Sequence, residues 1–326
     1  MLSRIKVFPL AAESLGVRSM CTFVETPSLR LLLDAGVSLA PNRFGLPPHP
    51  QEFGAIIRVR NKIAEFSEKA DVVTISHYHF DHHTPSFEDW LCNWTDGETA
   101  CQVYEGKTVL AKSPLVDVNA SQRRRGWIFE KTGGKHAKKL EYADGKIIQL
   151  GDTKLKFSEP VFHGLQNTPL GWIIMIAVEY QTEKLLFASD VQGPMYNDTM
   201  QQILNDHPQL LIISGPPTYL EGIYVNDRQI HQGLKNLETL AKNIPVTIID
   251  HHLLRSTRWR ESAQYILESA RKAGNKAVTA AEYLDRDNKL LEANRKQLYE
   301  EDPPSREFEK WSKLPQVKRR KIKPPI

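Results

Sequence analysis

A chain of 326 residues with 40% hydrophobic content is long enough to bury a sizeable core, which excludes a disordered or fibrous protein. The formal net charge of +4, with acids and bases intermixed, excludes a strongly basic chain that gathers nucleic acid by charge alone. Cys21, Cys92 and Cys101 lack CxxC spacing, which excludes a thiolate zinc site and a disulfide framework. No apolar run reaches the roughly 18 residues of a membrane span, and the run before Leu10 is too short for a signal peptide. The expectation is a cytoplasmic protein without a membrane partner.

In chain order, short apolar runs at Ile5 to Leu10, Met20 to Val24 and Leu29 to Leu33 predict strands, with a turn at Pro27 and Ser28. After a Pro-rich loop at 41–50, Phe53, Ile56, Ile57, Val59, Ile63 and Phe66 recur at helical spacing. Asp71 to Ile75 then reads as a buried strand. The stretch from Thr84 to Glu141 is less regular, with a strand at Thr108 to Ala111 and a basic helix within Ser121 to Lys139. The part near 113–141 is expected to be an insertion in a single domain spanning 1–300.

From Ile147 to Phe187, four β-rich runs separated by turn residues predict antiparallel strands. Beyond Asp190, strands at Leu210 to Ile213 and Pro245 to Ile249 alternate with helices at Ile230 to Lys242 and Ser256 to Ala273. Two sheets with helices outside them is the simplest assembly. The Lys-, Arg- and Pro-rich segment 301–326, with Lys318-Arg319-Arg320-Lys321, is expected to be a flexible tail.

The chemistry lies in the histidines. Of the 11 in the chain, His77, His79, His82 and His83 form one cluster, His163 stands alone, and His251 and His252 are adjacent. His77 and His79 sit two residues apart at a strand end, so both rings reach the same side and can share a metal ion. Asp81 and His82 follow on a loop that must turn after Phe80, which lets a carboxylate and an imidazole reach a second ion.

This HxHxDH segment after a strand resembles the signature of the metallo-β-lactamase superfamily. Asp34 in Leu-Asp-Ala-Gly resembles that family's first motif, His163 in Phe-His-Gly its third, Asp190 in Ala-Ser-Asp its fourth, and His251 or His252 its fifth. The resemblance spans roughly Ile5 to His252 and implies an α/β fold, a four-layer αββα sandwich with metals at the sheet edges. It further implies that His77, His79 and His163 bind one ion, that Asp81, His82 and the final His bind another, and that Asp190 bridges them. Asp34, and the surplus His83, are expected behind these ligands, orienting them. Successive strand residues face opposite sides, so only one of His251 and His252 is expected to ligate. His251 is favoured because it precedes Arg255 by four positions, as the final His precedes an Arg in nuclease branches. Among branches, the combined segments look closest to an archaeal group of predicted hydrolases.

These residues imply hydrolysis by a metal-activated water, with Asp81 and Asp190 as candidate catalytic carboxylates. An imidazole-dominated set with two carboxylates suits zinc, while iron or manganese stays open. An iron-bearing relative would be an oxidoreductase, and a nucleic-acid-binding module without turnover is a third reading. For substrate, Arg123, Arg124 and Arg125 in the basic segment, together with Arg255, are candidate contacts to a phosphate-bearing molecule or nucleic acid. Trp127 is placed either to stack on a base or to anchor its segment. Ser214 to Tyr219 follows a strand and is a candidate wall of the cleft.

Overall fold

The computed structural model describes residues 2–326. Strands β1 (Lys6–Pro9), β2 (Thr22–Thr26), β3 (Leu29–Leu33), β4 (Val72–Ile75), β5 (Thr108–Ala111) and β6 (Lys139–Tyr142) form one sheet in that order. Its first three strands are antiparallel and the rest are parallel. The second sheet has the order β15-β14-β13-β12-β11-β8-β7. Its members are β7 (Ile147–Leu150), β8 (Thr153–Phe157), β11 (Ile176–Tyr180), β12 (Glu183–Ala188), β13 (Leu210–Ser214), β14 (Val246–Asp250) and β15 (Lys276–Val278). β12 to β15 run parallel, whereas β7, β8, β11 and β12 pair antiparallel. A separate hairpin joins β9 (Val161–Phe162) to β10 (Trp172–Ile173).

Alternation along the strands divides the apolar side chains between layers. Leu31 and Leu33 of β3, with Leu210 and Ile212 of β13, meet in the core between the sheets. Leu32 faces the opposite way, onto helices α1 (Pro50–Lys69), α2 (Gly97–Tyr104) and α3 (Ala120–Lys131). Leu211 and Ile213 face α4 (Asn197–Asn205), α5 (Asp227–Asn243) and α6 (Trp259–Lys272). Four layers result, the αββα sandwich that the motifs implied. All four residues of β4 are buried, because sheet and helices cover both faces. α1 begins where predicted because His49 and Glu52 close a capping box around Pro50.

Two segments depart from expectation. Residues 113–141, read as an insertion, supply α3 and the parallel edge strand β6, so they complete the first sheet. The expected flexible tail is folded: after α7 (Ala280–Tyr283) and α8 (Arg295–Glu301) come α9 (Arg306–Ser312) and α10 (Gln316–Arg319). Phe308 and Trp311 of α9 are buried against Phe53 of α1, with ring centroids 6.1 and 5.6 Å away. Arg320 pairs with buried Asp89 at 2.8 Å. Two aromatic anchors outweigh the polar composition that suggested disorder, since burying each contributes about 1.5–3 kcal/mol. Among the described residues, no helix is long and apolar enough to cross a membrane.

Candidate metal centre

The candidate ligand segments all leave the C-terminal ends of strands, four from the two large sheets and His163 from the separate β9–β10 hairpin. Asp34 follows β3, His77 follows β4, His163 follows β9, Asp190 lies two residues beyond β12, and His251 follows β14. Side chains more than a hundred residues apart in sequence thereby converge. Ligand atoms of His77, His79, His163 and Asp190 lie within 4.8 Å of one another, as do those of Asp81, His82 and His251, and those of Asp190, His251 and His252. Asp190 faces the imidazoles at 3.0 Å from His163 Nε2, 3.2 Å from His82 Nε2 and 3.4 Å from His251 Nε2.

Close packing of two loops brings the motifs together. A Cβ on Gly36 would stand 2.2 Å from the His83 nitrogen and 2.4 Å from that of His82, so only glycine lets the chain after β3 lie against the HxHxDH turn. Gly164, at φ +86°, turns the chain beside His163 where a Cβ would meet the Gln192 side chain at 2.3 Å.

Asp34 is wholly buried and acts on two imidazoles. Its Oδ2 accepts from His82 Nδ1 at 2.8 Å and from the Ser76 hydroxyl, while Oδ1 accepts from the Ser76 backbone N–H at 2.7 Å. Because the Ser76 proton is given to Asp34, its oxygen accepts from His77 Nδ1 at 3.0 Å. Both rings are thereby held with their Nε2 atoms aimed into the site. His83 donates from Nδ1 to the His79 carbonyl at 2.9 Å and packs among Tyr78, Phe80 and Phe129, so it braces the loop and does not face the cleft.

Glu13 was missed in the sequence. Its Oε2 accepts from His251 Nδ1 at 2.7 Å and its Oε1 from Arg255 Nε at 2.5 Å. Nothing in the run Ala-Glu-Ser-Leu signals this, since the partners are 238 and 242 positions away. Arg255, expected to contact substrate, lines the cleft and is engaged by Glu13, the Tyr219 hydroxyl and His251 Nε2 at 3.1 Å.

The expectation that His251 and His252 face opposite sides does not hold. His251 opens a 3₁₀ turn with φ +64°, so strand alternation has already ended. The two ring centroids are 4.4 Å apart, and His252 Nδ1 lies 3.9 Å from Asp190. Of the three consecutive arginines, only Arg125 lines the cleft; Arg123 and Arg124 line a separate apolar groove with Leu115 and exposed Trp127. Consecutive helical positions are about 100° apart, so three in a row cannot share one face.

Burial, followed by the neighbouring imidazoles His82 and His79, pushes His77 well below the usual histidine range. Burial likewise takes His79 and His83 to about 3 and His252 well down, leaving them neutral as metal binding requires. Burial opposes protonation of His82 and His251 too, yet Asp190, Asp34 and Asp81 push His82 well above the usual histidine range, and Glu13 and Asp190 raise His251 to about 9. An ion binding these two rings must therefore displace a proton. Asp190 is held far below the ordinary carboxylate range against its burial, by His82, His251 and His252. His77 Nε2, His82 Nε2, His163 Nε2, His252 Nδ1 and Asp190 Oδ1 are buried without a hydrogen-bond partner. Orphaned atoms of this kind are costly unless something else satisfies them, and buried imidazole and carboxylate groups together fit a metal ion. Cys92 also lines the cleft, but burial pushes its thiol up to about 12, so it offers no thiolate.

No family model matches the chain. Among solved structures, the metallo-beta-lactamase fold protein YhfI from Bacillus subtilis is similar at 13% identity and TM-score 0.49, covering 85% of this chain and 96% of that one. Tm1679, described as a metal-dependent hydrolase of the beta-lactamase superfamily, is similar at 12% identity and TM-score 0.45, covering 84% and 95%. Sequence relatives are much nearer. A UPF0282 protein of Methanopyrus kandleri is 41% identical over 298 residues, covering 91% of this chain and 100% of the relative. One from Pyrobaculum arsenaticum is 42% identical over 300 residues, covering 92% and 95%. With matches of that extent across nearly the whole chain, this protein belongs to the archaeal UPF0282 family.

Proposed function

We propose that this protein is a metal-dependent hydrolase working with two divalent ions, zinc in the first instance. The observation that carries the reading is the convergence of buried imidazole nitrogens, several of them without a hydrogen-bond partner, around the Asp190 carboxylate. In this reading His77, His79 and His163 hold one ion, Asp81, His82 and His251 hold the other, and Asp190 stands between them. His252, also beside Asp190, is a further donor. Bound there, the ions supply a water of near-neutral pKa and stabilise developing negative charge.

The chain's own residues do the rest. Asp34, directly for His82 and through Ser76 for His77, and Glu13 for His251 keep the Nε2 atoms of these rings pointed inward. Asp81 lines the cleft with a small part of its side chain exposed and is held ionised against its burial by His82, His251 and Arg255, so it can orient a water by accepting its hydrogen. Phe80, Leu170 and Leu220 give the cleft apolar walls against which an organic group can pack.

The test is metal analysis by plasma mass spectrometry joined to turnover of chromogenic esters. Wild type should carry about two ions per chain and lose hydrolysis in EDTA. His79→Ala and Asp190→Ala should lose both metal and at least about a hundredfold in rate. Folded protein that binds no metal ends the proposal. Iron with oxygen consumption moves it to redox chemistry.

A further inference from the structure

The cleft beside the histidine cluster has a volume of about 480 Å³ and is lined by four arginines. Three of these already have acid partners: Arg18 with Glu292 at 2.6 Å, Arg255 with Glu13 at 2.5 Å, and Arg320 with Asp89 at 2.8 Å. Arg125 differs. It makes one long hydrogen bond, to the Tyr78 carbonyl at 3.4 Å, stacks over Phe80 at 4.6 Å, and has no ion pair among the described residues. Burial lowers its pKa somewhat, but a guanidinium stays charged.

Its position is fixed by packing. A Cβ on the next residue, Gly126, would lie 2.6 Å from Pro114 and 2.8 Å from the Tyr78 ring, so α3 rests closely on the segment between His77 and His79. Gln122, one turn earlier, bonds the Trp172 carbonyl at 3.0 Å and accepts from its N–H at 3.2 Å. A partly desolvated cation on a rigid element, with most of its five donors free, is an anion site in waiting.

We propose that Arg125 is an oxyanion-binding residue beside the metal centre, and that the substrate is a phosphate ester. A tetrahedral phosphate can offer one oxygen to an ion held by the imidazole cluster while another meets the Arg125 fork. A phosphate has more oxygens and more negative charge to divide between these two partners than a carboxylate has. The outward Arg123 and Arg124 have no part in this contact. The assignment deepens the hydrolase reading, on which the word substrate rests.

The experiment is calorimetric titration of inorganic phosphate, and separately of acetate, into the zinc-reconstituted full chain. Wild type is compared with Arg125→Met, Arg125→Gln and Arg125→Lys, each checked for metal content and by circular dichroism. The expected result is phosphate affinity about tenfold to a hundredfold weaker in the Met and Gln variants at unchanged metal content, with Lys between them because it keeps charge but not the fork. Unchanged phosphate affinity in both the Met and Gln variants overturns the proposal, as does acetate bound as tightly as phosphate by wild type. Arg125-dependent phosphate binding without turnover of any ester upholds the subsite and ends the hydrolase reading. Ester turnover with Arg125-independent phosphate binding does the reverse.

Discussion

Glutamine in place of Glu13 keeps the size of the side chain but changes what it can do for His251. The carboxylate only accepts, taking hydrogens from His251 Nδ1 at 2.7 Å and Arg255 Nε at 2.5 Å. That commits an imidazole proton to Nδ1 and leaves Nε2 to face the site, 3.1 Å from Arg255 Nη2, 3.5 Å from Asp81 and 3.4 Å from Asp190. The glutamine oxygen can still accept from Arg255, but its NH₂ then meets Nδ1, and the favoured tautomer puts a proton on Nε2 inside the site. Loss of such a supporting partner costs roughly tenfold to a hundredfold in metal affinity, about 1.4–2.7 kcal/mol. Competition with a chromogenic chelator should show one of two ions weakened by that factor in Glu13→Gln, the other held as in wild type. Glu13→Ala should in addition lower the melting temperature, because Arg255 is left buried without its partner. If Glu13→Gln binds both ions as tightly as wild type, the tautomer argument is wrong.

Three further outcomes follow from the geometry. Arg295→Met leaves Glu52 buried and unpaired after loss of contacts at 2.7 and 2.8 Å, and should cost about 3–5 kcal/mol in urea denaturation. Glu292, buried against Arg18, is held down to about 2 from 4.5 despite its burial. A depressed folded pKa contributes stability above the unfolded value, so roughly 3 kcal/mol should be lost as pH falls from about 4.5 to 2, and Glu292→Gln should flatten that part of the pH–stability curve. Gly36→Ala forces a methyl into the His82 and His83 backbone, and should lower stability by about 1–3 kcal/mol and release metal, both readable in one thermal melt with a zinc indicator. A Gly36→Ala protein with native melting and metal content would show that the loop can retreat.

Much of the architecture was legible in the chain, because period-two and helical patterns are local properties. Leu31 to Leu33 and Leu210 to Ile213 announce strands, and Phe53 to Phe66 announces a helix. The misreadings arise where a local rule lost to tertiary packing. The polar composition of 301–326 concealed Phe308 and Trp311, whose value depends on Phe53 being opposite them. Strand alternation was applied one residue too far at His251, where a left-handed φ of +64° turns both rings inward.

The sequence by itself determined the candidate metal-binding segment, since HxHxDH needs only neighbouring residues and a turn to gather donors. Asp34 was legible as following an apolar strand, whereas His163 and Asp190 were placed at the site by the motif order of the resemblance. Only the tertiary structure decided that Glu13 holds His251, that Arg255 is held by Glu13, and that Arg125 alone of three arginines faces the cleft. The physical reason is range. A backbone pattern is set by residues a few positions apart, whereas an ion pair or an aimed imidazole depends on how two stacked sheets bring distant loops to within 3 Å.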